Sequence, residues 1–245
     1  MGLGNLYVAD SGNNLIRKIV ILTQQVSTLA GSGTAAQTDA TGTAAAFDFP
    51  HALWGDAATL YVADKNNNAI RRIDIASKVV TTFAGSTTGA SGSDDLTGTA
   101  ARFNLPLGIW GNGSELFVTE GGNHTIRKIV ISSQAVTTFA GVSGTSGSND
   151  GVGAGAKFSF PHGLWGDGTN LWVVDLSNHT IRKIVIATAA VTTPAGSGGN
   201  SGFVNATGSG ARFSSPQTIW GNGSNLFVSD GNNHQIRKLS FDGGS

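Results

Sequence analysis

His51 and His162 sit in matched surroundings, PHALWGD and PHGLWGD, 111 residues apart. Two imidazoles brought to a common axis could hold zinc and activate water for a hydrolase or lyase reaction. Asp150, with Asp94 and Asp95, lies in a glycine-rich stretch and could offer carboxylate oxygens to calcium. The other histidines, His124, His179 and His234, share a second recurring position and read as structural. No Ser, His and Asp stand at a spacing that argues for a nucleophile relay, and no carboxylate pair lies outside the recurring pattern. The glycine-rich stretches lack the Gly-Lys-Ser/Thr ending of a phosphate loop and the carboxylate ladder of an EF-hand. The residues give no catalytic set and no cofactor site, with calcium or zinc as the only metals to test.

Most of the charge is periodic. DSGNNLIRKI from Asp10 returns as DKNNNAIRRI from Asp64, EGGNHTIRKI from Glu120, DLSNHTIRKI from Asp175 and DGNNHQIRKL from Asp230. The spacings are 54, 56, 55 and 55 residues. Of the 15 bases, ten are the paired positions of this motif, and five of the 15 acids open it. Arg17, Arg71, Arg127, Arg182 and Arg237 are thus matched by Asp10, Asp64, Glu120, Asp175 and Asp230. Adjacent residues of a strand face opposite sides, so each Arg-Lys pair divides between two faces. The expected role of the Asp and Arg is to fasten one blade to the next, because buried charge survives when paired. The alternative is a ring of basic residues reading an anion. The Asp-x-x-Asn stretch itself reads as a turn that tolerates left-handed backbone.

Each period carries four short runs of strand character: LYVAD, IRKIVI, VTTFAG and, after a glycine-rich loop, PHGLWGD. None sustains a 3.6-residue period. Four strands in a meander, repeated at this length, make a propeller blade, and blades bury their faces by stacking. The expected fold is all-β, a propeller of four-stranded antiparallel blades, about five of them. The units run approximately 1–49, 50–105, 106–160, 161–215 and 216–245.

The run Pro-x-Gly-Ile, a strand, then Asp-x-x-Asn-His-x-Ile-Arg-Lys resembles the NHL repeat. The long-loop form is fullest at Ala140-Gly141, Asp150-Gly151-Val152-Gly153, Ala156, Phe158 and Pro161. The resemblance covers nearly the whole chain. It implies an NHL propeller and says little about function, since such propellers serve as binding modules, scaffolds and a few enzymes. One departure stands out. The inner strand has Trp-Gly where the family commonly has a small residue followed by a large one, at Trp54, Trp110, Trp165 and Trp220. That is a volume-conserving exchange for inter-blade core. Trp on an inner strand could also stack on sugars or bases.

Named a to d from the axis outward, the strands number four a, five b, five c and four d. The first and last blades are therefore incomplete, which leaves backbone and apolar surface for association. Phe47, Phe103, Phe158 and Phe213 should pin the long d–a loops, which emerge with the b–c loops on one face.

Composition narrows the partners. Formal net charge is zero, which disfavours nucleic acid and anionic membrane. There is no cysteine and no apolar run long enough to span a bilayer. The start, MGLGN, shows no signal peptide and a poor context for myristoylation at Gly2. The sequons at Asn112, Asn123, Asn178, Asn205 and Asn222 come from the repeat and matter only in a eukaryotic secretory host. The expectation is a non-enzymatic scaffold that binds a protein or ligand through the loop face, an excerpt of a larger extracellular or envelope protein. Alternatives are an axial-metal lyase or hydrolase and an RNA- or glycan-binding module.

Overall fold

β-Branched and aromatic residues alternate with polar ones in each run, and the glycine and asparagine turns between them close antiparallel meanders. The computed structural model describes residues 4–240. The first sheet holds β1 (Asn5–Asp10), β2 (Leu15–Val20) and β3 (Gln25–Ala30). The second holds β4 (Pro50–Gly55), β5 (Thr59–Asp64), β6 (Ala69–Asp74) and β7 (Val80–Gly85). The third holds β8 (Pro106–Gly111), β9 (Glu115–Glu120), β10 (Thr125–Val130) and β11 (Val136–Ala140). The fourth adds a two-residue strand, β12 (Gly151–Val152), outside β16 (Ala190–Ala195), followed inward by β15 (Thr180–Val185), β14 (Asn170–Asp175) and β13 (Pro161–Gly166). The fifth is β17 (Pro216–Gly221), β18 (Asn225–Asp230) and β19 (Gln235–Ser240). These are the blades of an all-β propeller chain. The first lacks strand a and the last lacks strand d, as counted from the sequence. Strand c of the last blade was expected to reach Phe241, which lies outside the described residues. Among the described residues no helix is long and apolar enough to cross a membrane.

Two compact units divide the chain, 1–116 with 129–137, and 117–128 with 138–245. In the first, Ile16 and Leu29 of one blade close on Phe47, Leu60, Val62, Ile73 and Val80 of the next. In the second, Trp172, Val174 and Ile181 close on Phe213, Ile219, Leu226 and Val228. The four loop phenylalanines are buried as expected.

Strand a starts irregularly. Phe49, Leu105, Phe160 and Ser215, each just before the proline, all take φ between 49° and 56°. Pairing of β4, β13 and β17 with its neighbour is interrupted just after the proline, which has no N–H to give.

Two features differ from the expectation. The long loops are not simply displayed on one face. The middle of three of them runs down the outer edge of the next blade: Thr41 bridges Val79, Thr97 bridges Ala135, and β12 pairs with β16. An uncovered edge would template aggregation, and the loop removes it. The four Trp are also not equally core. Trp54, Trp110 and Trp165 are half-buried, whereas Trp220 is 57% exposed. The difference has a local cause. A Cβ built on Gly221 would lie 2.4 Å from the Trp165 ring, and one on Gly111 would lie 3.0 Å from Trp54. The Trp54 and Trp165 rings therefore rest on the glycine of the following Trp-Gly pair, so there the two residues exchanged volume across blades rather than within one. Trp220 ends the series.

Candidate binding face

The b–c turns and the starts and ends of the d–a loops form the face of interest. Strand b delivers its acid at the last residue. A tight turn follows, then a residue in the left-handed region: Asn14, Asn68, His124, His179 or His234, at φ 50° to 61°. Strand c then places Arg on one side and a second base on the other. Arg71, Arg127 and Arg182 are wholly buried, while Arg72 and Lys238 are exposed.

The acid and the arginine belong to the same blade, one of the two placements that strand geometry allows. Arg71 Nη1 donates to Asp64 at 2.9 Å, and Arg182 Nη1 to Asp175 at 2.8 Å. What they fasten is the long loop arriving from the preceding blade. Arg71 also donates to the carbonyls of Ala46 and Thr38 and to Asp39. Arg182 makes the same set with Lys157, Asn149 and Asp150, and Arg237 with Arg212, Val204 and Asn205. The second carboxylate oxygen of Asp64, Asp175 and Asp230 accepts the N–H of Asp48, Ser159 and Ser214. The motif asparagine closes the ring. Asn67 donates to Asp64 and to the Ala36 carbonyl, and Asn178 to Asp175 and the Gly147 carbonyl. Phe47, Phe158 and Phe213 lie under the guanidinium planes at 4.8–5.1 Å. Glu120 fills the acid position of the third blade, where its carboxylate accepts from Asn123, Thr125 and Arg127. In the first blade the pair is looser, Arg17 to Asp10 at 3.2 Å, with both side chains about a quarter exposed or more.

Burial acts against the carboxylates. It pushes Asp64 and Asp175 up to about 6, against the opposing pull of Asn67 and Arg71 at Asp64 and of Arg182 and Asn178 at Asp175.

A second fastening escaped the sequence reading. The left-handed residue turns its side chain to the next blade and accepts the N–H of the residue before the proline. Asn14 Oδ1 takes Phe49 N–H at 2.8 Å, Asn68 Oδ1 takes Leu105 N–H at 2.9 Å, His124 Nδ1 takes Phe160 N–H at 3.1 Å, and His179 Nδ1 takes Ser215 N–H at 3.1 Å. The signal was present in the sequence. Asn and His exchange at this one position because Oδ1 and Nδ1 are acceptors at the same reach, and both residue types enter the left-handed region more readily than most.

This makes a prediction. An imidazole accepting at Nδ1 is neutral with its proton on Nε2, and burial lowers the His124 pKa. Its contribution to stability is present above the ordinary histidine value and is lost as pH falls below it. His124→Asn should melt with the parent at pH 8 and above it at pH 5.5. Thermal unfolding at the two pH values checks this, and the difference between the proteins isolates the imidazole.

The metal candidates are placed as follows. His51, in the first unit, holds its Nδ1 3.1 Å from the Leu107 carbonyl. His162, in the second, holds its Nδ1 2.9 Å from the Gln217 carbonyl. A carbonyl only accepts, so each Nδ1 donates and each ring is a tie to the next inner strand. Desolvation lowers His51 further, with the Leu107 bond opposing. Asp150 accepts from Arg182 at 3.1 Å and from Thr193 Oγ1 at 2.7 Å, so it clasps the loop to strand d. Among the described residues no group of three or more His, Asp or Glu is disposed to hold a metal ion.

The fold and the fastened motif define a β-propeller with loop-clamping repeats. No family model matches the sequence. NHL repeat-containing protein 2 of Bos taurus is 29% identical over 273 aligned positions, covering 97% of this chain and 38% of that protein. The chloroplastic protein Suppressor of Quenching 1 of Arabidopsis thaliana is 29% identical over 258 positions, covering 98% of this chain and 24% of that one. An auxiliary nutrient binding protein of Bacteroides thetaiotaomicron superposes with a TM-score of 0.64 at 18% identity, covering 96% of this chain and 65% of that structure. That last likeness is one of fold. The chain is a β-propeller that resembles NHL repeat-containing proteins along nearly its whole length, and it spans about two fifths or less of the curated relatives it matches.

Proposed function

We propose that this propeller is a non-enzymatic scaffold that holds rigid loops toward a protein or small-ligand partner. The observation that supports it most is the use of the repeat's polar groups. The acids, asparagines and arginines of the motif are engaged in fixing the long loops rather than converging on a reacting centre. Rigid scaffolds that present loops are the usual basis of recognition surfaces. The same burial argues against an anion-reading basic ring, because Arg71, Arg127 and Arg182 are fully buried and a phosphate reader needs accessible charge. The setting proposed is extracellular or at the cell envelope, as one module of a longer protein.

The turn tips, exposed at Ser177 and Asn232 and partly exposed at Lys65, test the reading. Lys65→Glu, Ser177→Arg and Asn232→Arg alter the loop face and leave the clamps intact. In pull-downs from the source organism, at least one should lose a partner that the parent retains, with unchanged circular dichroism. Retention of every partner by all three variants rejects the loop face as the binding surface.

A further inference from the structure

The turns between strands a and b of the second to fifth blades are built alike. Each opens on an Asp or Asn whose Oδ1 accepts two main-chain N–H groups. Asp56 takes those of Ala58 and Thr59, and Asp167 those of Thr169 and Asn170. Asn112 takes those of Ser114 and Glu115, and Asn222 those of Ser224 and Asn225. Carboxylate and amide exchange here because the turn asks only for an oxygen acceptor.

Asn112 and Asn222 are both followed by glycine. Gly113 and Gly223 take φ of 93° and 87°, and a Cβ on either would meet nothing within 4 Å. Among the described residues their N–H groups enter no hydrogen bond. Both asparagines are exposed. The sequon asparagines of the clamp differ: Asn123 and Asn178 are buried and donate Nδ2 to Glu120 and Asp175.

We propose that Asn112 and Asn222 are sites of self-modification, each converting to aspartate through attack of the following glycine nitrogen on its side-chain amide. The glycine N–H gives its proton to solvent hydroxide, and the nitrogen bonds to Cγ. The bond from Cγ to Nδ2 breaks, ammonia leaves and a five-membered succinimide remains. Water then adds to one of the two ring carbonyls and opens the ring, with no change of oxidation state. Opening between Cγ and the glycine nitrogen gives aspartate. Opening at the main-chain carbonyl gives isoaspartate, which routes the backbone through the side chain.

The turn selects between these products. Negative charge develops on Oδ1 when the nitrogen attacks Cγ, and again when water does. Two N–H groups already point at that oxygen, at 2.9 and 2.8 Å for Asn112 and at 3.1 and 2.8 Å for Asn222. Donors fixed where charge develops lower the barrier. The main-chain carbonyls of Asn112 and Asn222 accept no such pair among the described residues. Water is therefore directed to Cγ, and aspartate is the product. The product also suits its place. At Asp167, burial opposes the charge, yet the N–H groups of Asn170 and Thr169 hold the carboxyl below the usual range. The two products meet different neighbours. Asn170 Nδ2 donates to Asp167 Oδ2 at 3.2 Å, and Asn225 holds the same position after Asn222. Asn112 Nδ2 instead donates to Glu115 at 3.5 Å, so a carboxylate there would face a like charge.

The intact protein, held at mildly alkaline pH and digested at intervals, tests this beside two peptides copied from residues 109–116 and 219–226. Mass spectrometry reads the exchange of amide for acid, and chromatography separates aspartate from isoaspartate. Both asparagines should convert, faster as pH rises, while Asn123 and Asn178 do not. The ratio of aspartate to isoaspartate should exceed that of the peptides about tenfold, less than an enclosed oxyanion site would give. Glu115→Pro removes one donor at the first residue of a strand, where proline is tolerated. With an unchanged melting curve, it should return the Asn112 ratio to that of the peptide and leave Asn222 in the same molecule unaffected. Glu115→Gln keeps the N–H and should keep the ratio. If Glu115→Pro unfolds, the Asn222 ratio moves as well, and the comparison of parent with peptides decides. As a check on the neighbours, Asn222→Asp should melt at or above the parent and Asn112→Asp below it. Failure of either asparagine to convert in the folded protein while its peptide does so overturns the proposal, and so does the same product ratio in protein and peptides. These turns lie at the opposite end of the strands from the b–c turns, so the outcome leaves the loop-face reading untouched.

Discussion

Replacing Arg182 with Met should lower the free energy of unfolding by about 3–5 kcal/mol, the scale for removing one partner of a buried ion pair. The side chain is fully buried and so is its main partner, Asp175. The change orphans more than one charge. The carbonyls of Lys157 and Asn149 lose their donor, and Asp150 keeps only Thr193 among the contacts described above. Two neighbours serve as controls. Lys183→Met changes the other face of the same strand and should stay within about 0.5 kcal/mol. Arg17→Met removes the same motif residue where the pair is partly solvated, and should cost no more than about 1 kcal/mol. Urea unfolding of the three variants ranks them. Equal losses at Arg17 and Arg182 would mean that the motif acts through the turn alone and not through the loop it grips. The pH dependence gives a second readout. Burial raises Asp175 to about 6 in the folded chain, above its ordinary value. Its contribution to stability is fully present below that ordinary value and is lost as pH rises through about 6. Asp175→Asn should remove that part of the slope, whatever it costs in absolute stability.

The repeat made the blades legible before any coordinates. Period-2 alternation and glycine punctuation fixed which runs are strands, and the count of a, b, c and d strands carried over unchanged. The clamp was half legible. That Arg and its basic neighbour face opposite ways follows from strand geometry alone. What the arginine grips does not follow, because its partners are main-chain carbonyls of residues 25 and 33 positions earlier, and a carbonyl carries no sequence signature. The same reason hid the course of the long loops, whose edge-covering bonds are main-chain bonds between Gly42, Gly98 or Gly153 and the start of strand d. The histidines misled for a related reason. Their imidazoles are metal-capable by type, but four of the five have carbonyl or N–H neighbours that treat them as neutral ties. Asn205 was visible only as part of a sequon. Its meaning came from comparing it with Asp39 and Asp150 in three dimensions.

Gly221→Val should be nearly as damaging as the loss of a clamp, at about 1–3 kcal/mol or more, because a side chain there has to displace an indole. The Cβ position lies 2.4, 2.6 and 2.7 Å from three atoms of the Trp165 ring, and a ring with two torsions cannot slide aside as a lysine end would. The explanation predicts its own rescue. Trp165→Leu alone should destabilise through lost contact area and a residual cavity. Combined with Gly221→Val, it should be partly rescued, because the volume lost at Trp165 is then supplied from the following blade. The double variant should therefore be more stable than the sum of the single losses by about 1–3 kcal/mol. Trp220→Leu is the third arm. That ring is mostly exposed and should change stability by no more than about 0.5 kcal/mol. If Trp220 proves as costly to replace as Trp165, its ring is covered in solution by something that binds the open face of the last blade. If the cycle shows no coupling, the tryptophans are held by their own sheets, as the 6.2 Å stack of Trp54 on Tyr61 would allow, and the glycines are small for backbone reasons instead. Coupling without a Trp220 effect is the result that the ring-on-glycine ratchet requires.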